Sequence, residues 1–142
     1  MIPRFRHILI PLDFTEKNLA ALNIAFDLAV VNHARVTLLH VVEQISGDVD
    51  AELTEFYNRL RTRAESEMEA VSQRFDDAGL AVDCKIRIGH RLHEIVADSV
   101  EREADLIVMS SHKPDLTKPL QTWATLSYQA SVLCQCPVLL VK

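Results

Sequence analysis

The 142-residue chain carries 15 Lys and Arg against 20 Asp and Glu, a formal net charge of −5, with 49% apolar and 25% charged residues. That length suits one domain with a single core, the composition is that of a globular protein, and the negative charge, with no dense Lys/Arg stripe, argues against nucleic acid as a partner. No apolar run approaches the ~20 residues of a membrane span, and the start MIPRFRHILIPLDF lacks a secretion signal's long apolar segment and cleavage site; a cytoplasmic protein without membrane partners is expected.

In chain order, His7 to Asp13 is almost continuously apolar, as a strand covered on both faces should be. Pro11 has no N–H and belongs near the strand's end. Asp13 at the tip reads, on its own, as a turn former. Thr15 is predicted to cap the next helix, with Glu16 in its first turn. Leu22, Ala25, Phe26, Ala29 and Val30 recur at helical spacing to about Val31, and His33 falls in a surface connection. Val36 to Val42 reads as a second strand. His40 within it is expected to be a hydrogen-bonded core residue.

Glu43 to Glu52 is acidic and turn-like, with a weak turn signal at Gly47 and Asp48. A long amphipathic helix follows. Leu53, Phe56, Leu60, Ala64, Met68, Val71, Phe75 and Ala78 mark its apolar face, and Gly79 ends it. Arg59 to Glu69 carry a mixed-sign solvated face. Ala81 to Ile88 alternates Asp83, Lys85 and Arg87 with Val82, Cys84, Ile86 and Ile88, the pattern of a half-exposed strand near a sheet edge.

Leu92 to Val100 is a further amphipathic helix behind Gly89. His90, His93 and Glu94 at its start invite a metal reading, but no third ligand with matching spacing follows, and an exposed helix start is the simpler account. The odd count of three cysteines argues against a disulfide framework. Cys84 is expected to be a small buried hydrophobe, and Cys134 and Cys136, without a second pair, free thiols rather than metal ligands.

Leu106 to Met109 is the fourth apolar strand. It breaks off into Ser110, Ser111, His112 and Lys113, crosses a proline-bounded loop and re-enters a helical pattern near Thr122. In an open parallel sheet, ligands sit outside the carboxyl ends of the strands, where amides at the next helix start can meet an anion. Trp123, Leu126, Ala130 and Leu133 form the predicted apolar stripe of a helix that ends before Cys136. Pro137 to Val141 is the last strand. Strict alternation of five strands and four helices gives one α/β domain with a parallel sheet.

The stretches ILIPLDF, LLHVV at Leu38 to Val42, the lone Gly89, ADLIVM and the terminal CPVLLVK, in this order along the whole chain, resemble the universal stress protein family. The resemblance implies an adenine nucleotide alpha hydrolase-like fold with strand order 3-2-1-4-5 in a single domain over residues 1–142. It also implies a homodimer joined through Pro137 to Val141. Contacts to an adenine nucleotide are implied for Pro11, Asp13, Val41, Met109, Ser110, Ser111, His112, Lys113, Trp123, Ala124 and Thr125. ATP-binding members carry G-x2-G-x9-G-S/T after the fourth strand. Here that pattern falls on Ser110, Lys113, Trp123 and Ala124, and none matches.

Glycine lets the backbone approach a phosphate without a Cβ in the way, so its loss implies a stress-response module that does not require a cofactor and binds ATP or AMP weakly at best. Trp123 reads either as a core aromatic or as a ring filling the phosphate site, and Lys113 as a solvated lysine or a substitute phosphate ligand. Adenine nucleotide signalling is the alternative function. An enzyme is not expected: no dinucleotide or phosphate-loop motif is present, and no carboxylate is placed to orient His112 beside Ser110 and Ser111.

Overall fold

The computed structural model describes residues 4–45 and 50–142, all with side chains except Thr122 and Trp123. The turn expected at Gly47 and Asp48 lies outside the described residues. Five parallel strands, β1 (His7–Pro11), β2 (Arg35–Glu43), β3 (Val82–Gly89), β4 (Leu106–Ser110) and β5 (Val138–Val141), form one sheet in the order β3-β2-β1-β4-β5. The helices are α1 (Asn18–Asn32), α2 (Ala51–Asp77), α3 (Arg91–Glu101), α4 (Pro119–Trp123) and α5 (Leu126–Leu133).

Side chains alternate across a strand, and β1 shows the consequence. Ile8 and Ile10 pack with Ala21, Ala25 and Ala29 of α1 and Met68 and Phe75 of α2. Leu9 points to the other face, with Ile95 of α3 and Ala130 of α5. The three alanines let α1 lie close against the sheet. Covered on both faces, the central strands must be apolar at every position.

Several expectations from the sequence are corrected. Thr15 does not cap α1. Its amide and hydroxyl both donate to Asp13 Oδ1, at 3.0 and 2.6 Å, and the helix begins at Asn18. Asp50, not singled out beforehand, caps α2 by accepting from the Leu53 amide at 2.8 Å. On α2, Phe56 is 39% exposed while its neighbour Tyr57 is buried, its hydroxyl oxygen accepting from the Ile45 amide at 2.7 Å. Cys84 is exposed rather than buried, because β3 is an edge strand.

The single helix expected from Thr122 is two, α4 and α5, interrupted where Thr125 is extended at φ −73 and ψ 151. Its predicted stripe is broken as well, since Leu133 is exposed while Ala130 is buried. Gly79 does end α2, with φ +79 and its amide bonded to the Asp76 carbonyl at 2.9 Å, the left-handed geometry that favours glycine.

Arg87 departs furthest from the alternation rule, which placed it in solvent. Its guanidinium lies beneath α3, against Glu94 at 3.1 Å, Asp98 at 2.9 Å and Glu101 at 2.5 Å. Asp98 is fully buried and also meets Arg102 Nε at 3.2 Å. Gly89 permits this arrangement: a Cβ there would stand 2.6 Å from Glu94 Oε1.

Candidate functional site

At Pro11 the first strand ends, and the chain turns out of the sheet through Asp13 and Phe14. Phe14 has φ +61, a left-handed conformation uncommon outside glycine. The turn is held by Asn18, only 5% exposed. Its Oδ1 accepts from the amides of Asp13 at 2.8 Å and Phe14 at 2.9 Å, and its Nδ2 donates to Ser110 Oγ at 2.9 Å. One side chain thereby ties the tip of β1 to the tip of β4.

These tips wall a cavity of about 150 Å³ at the carboxyl end of the sheet, lined by Pro11, Leu12, Asp13, Asn18, Leu39, His40, Val41, Arg91, Ile95, Ser110 and Leu126. A shallower groove of about 490 Å³ adjoins it between β2 and α2, sharing Asp13, His40, Val41 and Arg91. His40 is half-buried and takes part in both walls, unlike the core histidine expected. Its Nδ1 donates to the Leu12 carbonyl at 2.7 Å, which leaves Nε2 as the acceptor of the neutral ring. Its ring lies 4.6 Å from that of Phe14.

Asp13 carries the cavity's carboxylate. Burial pushes its pKa up, but the hydrogen bonds from the Thr15 hydroxyl and amide, with the charge of Arg91, outweigh this and hold it below the usual value of 3.8. The group is therefore ionised at neutral and mildly acidic pH, an acceptor for hydroxyl or N–H donors on a ligand. Arg91 opens α3, where Glu43 receives its amide at 3.2 Å and lies 3.5 Å from its Nε.

A family model described as the Universal stress protein family matches residues 4–142. The chain belongs to the universal stress protein family. Universal stress protein MJ0577 of Methanocaldococcus jannaschii is 26% identical over 125 residues, 76% of this chain and 77% of the relative. The solved structure of MJ0577 superposes with a TM-score of 0.82 and 28% identity, covering 96% of this chain and 95% of the other. Two more distant structures share the fold. A universal stress protein in complex with cAMP gives a TM-score of 0.76 at 17% identity, covering 97% of both chains. The universal stress protein of Archaeoglobus fulgidus in complex with dAMP gives 0.70 at 15% identity, covering 100% of both.

Of the residues that the family resemblance singled out, Pro11, Asp13, Val41 and Ser110 come together on the cavity wall. Met109 is buried in the core below it. Ser111 faces α5, its Oγ 2.9 Å from Ser127 Oγ and its amide donating to the Val141 carbonyl at 2.8 Å. His112, Lys113 and Ala124 are exposed and Thr125 half-buried, none of them on that wall. The placement of the Trp123 ring, in the core or in the phosphate site, lies outside the described residues.

Sequence reasoning did not find Asn18, Arg91 or His40 as wall residues. Asn18 follows Asp13 at five residues and is a good helix-start residue, the one local signal available. Arg91 carries none, because its position depends on where α3 meets β2. The metal reading at the start of α3 gains no support from geometry. Glu94 pairs with Arg87, His90 Nδ1 approaches Glu43 at 3.4 Å, and no group of three potential ligands gathers among the described residues. Burial raises the pKa of Cys134 and of Cys136 above 9.0, so both favour the thiol over the thiolate that a metal needs.

Proposed function

We propose that this chain is a stress-response binding module that holds a nucleoside-sized ligand at the tips of β1, β2 and β4, does not bind ATP tightly and carries out no reaction of its own. The observation that carries this reading is the cavity. At about 150 Å³ it is well below the roughly 300–1,000 Å³ of pockets that enclose drug-sized ligands. It suits a base, with Val41 as apolar surface and Asp13 as acceptor. The cAMP and dAMP complexes of the two structural neighbours support a small adenine ligand.

The loop that would take further phosphates lacks the family's glycines, and the Ser111 amide and hydroxyl are already engaged. Ser110 Oγ accepts from Asn18 and Ser111 Oγ meets Ser127, and among the described residues no imidazole is hydrogen-bonded to either hydroxyl to activate it. In calorimetric titration the protein should bind adenosine or AMP while ATP with magnesium gives no micromolar binding. Restoring glycine with Ser110→Gly, Lys113→Gly and Trp123→Gly together should raise ATP affinity. Micromolar ATP binding by the parent protein would overturn the reading.

The same reading includes a homodimer joined along β5. That strand is a sheet edge, Leu139 on it is 39% exposed, and Val132 and Leu133 of the neighbouring α5 are exposed too. An open apolar edge is prone to pairing, and a symmetric dimer buries it. Sedimentation velocity should show a dimer that Leu139→Lys converts to monomer. A parent protein that is monomeric at high concentration would remove the dimer.

A further inference from the structure

Resting on the nucleoside-sized reading of the cavity, we propose that Arg87 is a positioning residue for it: the ion pairs Arg87 makes beneath α3 hold that helix in the one register that sets Ile95 in the cavity wall. Arg87 itself stands on β3, outside the cavity. Ile95, 3% exposed, is the buried side chain through which α3 reaches the cavity.

Two faces of α3 do different things. Glu94, Asp98 and Glu101 follow one another at steps of four and three, so they share one face. All three carboxylates meet the Arg87 guanidinium, at 3.1, 2.9 and 2.5 Å, and one side chain thereby grips about two turns of helix. Ile95 lies about 100° around the helix from Glu94, packed with Leu39, Val41 and Met109. A helix that slid or turned by one residue would carry the carboxylates off the guanidinium and Ile95 off the wall together. Gly89 lets Glu94 come in, since a Cβ there would stand 2.6 Å from Glu94 Oε1 and 2.9 Å from its Cγ.

The network is a poor source of net stability. Asp98 is fully buried, and the desolvation of such a charge offsets most of the attraction it gains. Arg87 Nε and Asp98 Oδ2 find no hydrogen-bond partner among the described residues. Apolar contact between β3 and α3 would hold the helix as strongly, but it is non-directional and tolerates neighbouring registers. Contacts to a planar guanidinium are directional, and three at once are met in a single placement. What the charges contribute is register, which a binding site needs to within about 0.5 Å.

Methyl NMR and adenosine titration of the full chain test this. Arg87→Met with Asp98→Leu exchanges the ion pair for apolar contact. It should split or broaden the Ile95 δ1-methyl resonance, single and sharp in the parent, while those of Ile8 and Ile10 on the opposite face of the sheet stay unchanged. Adenosine affinity should fall about tenfold, the scale of losing part of an isoleucine's contact with a ligand. Gly89→Ala keeps every charge, displaces only Glu94 and needs no left-handed backbone, so it serves even if the double variant fails to fold. It should broaden the same methyl and weaken adenosine binding several-fold. An Ile95 resonance in Gly89→Ala as sharp as in the parent overturns the inference, whatever adenosine does. A disturbed Ile95 methyl with parent-like adenosine binding overturns it too, and leaves the cavity reading standing. If the parent binds no adenosine the cavity reading falls, and the Ile95 resonance still decides whether Arg87 sets the register.

Discussion

Replacing Arg87 by alanine is expected to destabilise the fold by about 3–5 kcal/mol, the usual result of removing one partner from a buried ion pair. Asp98 is fully buried, and Arg87, 18% exposed, lies 2.9 Å from it. Without the guanidinium, Asp98 keeps Arg102, but Glu94 and Glu101 lose a cation that both now share. Asp98 and Glu94, both poorly solvated, would repel one another, while the exposed Glu101 would turn to water.

The network is imperfect even in the intact protein. Arg87 Nε and Asp98 Oδ2 are buried and find no hydrogen-bond partner among the described residues. An apolar replacement of both residues should therefore do better than either single change. Urea unfolding checks this: Arg87→Ala should shift the midpoint strongly, and Arg87→Met with Asp98→Leu should recover most of the loss. A double variant as unstable as the single one would show that packing around α3, not unpaired charge, sets the stability there.

The second large effect is expected at Asn18. Asn18→Ala should cost on the order of 2–4 kcal/mol, since it strands two backbone amides that are expensive to leave unpaired. Those amides belong to Asp13 and Phe14, so the turn that presents the Asp13 carboxylate should loosen as well. Adenosine affinity should fall with stability. Asn18→Asp keeps the acceptor oxygen and should retain most of both, because Ser110 can rotate its own hydroxyl to donate. Thermal unfolding and titration of the two variants separate the outcomes. Equal damage from aspartate and alanine would mean that the Nδ2 bond to Ser110, not the acceptor, holds the turn.

Much of the fold was legible before any coordinate. A central parallel strand is covered on both faces, so His7 to Asp13, Val36 to Val42 and Leu106 to Met109 announced themselves as apolar runs. Helix period and the Gly79 terminus marked α2, and alternation placed β3 near an edge. The strand order came instead from likeness to the family, since alternation of elements does not say which strands are neighbours.

Local rules failed where a side chain had two possible partners. Thr15 looked like a cap until Asp13 claimed both of its donors. Arg87 obeyed the alternation rule in sequence, yet the acidic face of α3 drew it under cover.

Periodicity is a property of one element at a time, and it therefore sufficed to name the class of fold and the elements that build it. The cavity is not a property of any one element. Asp13, His40, Arg91 and Ser110 come from four separate stretches, brought to one end of the sheet because every strand runs the same way and every crossover returns the chain to the opposite end. Their meeting, and the Asn18 bridge that fixes it, depend on how far each strand extends past its neighbour. Only the assembled sheet decides that.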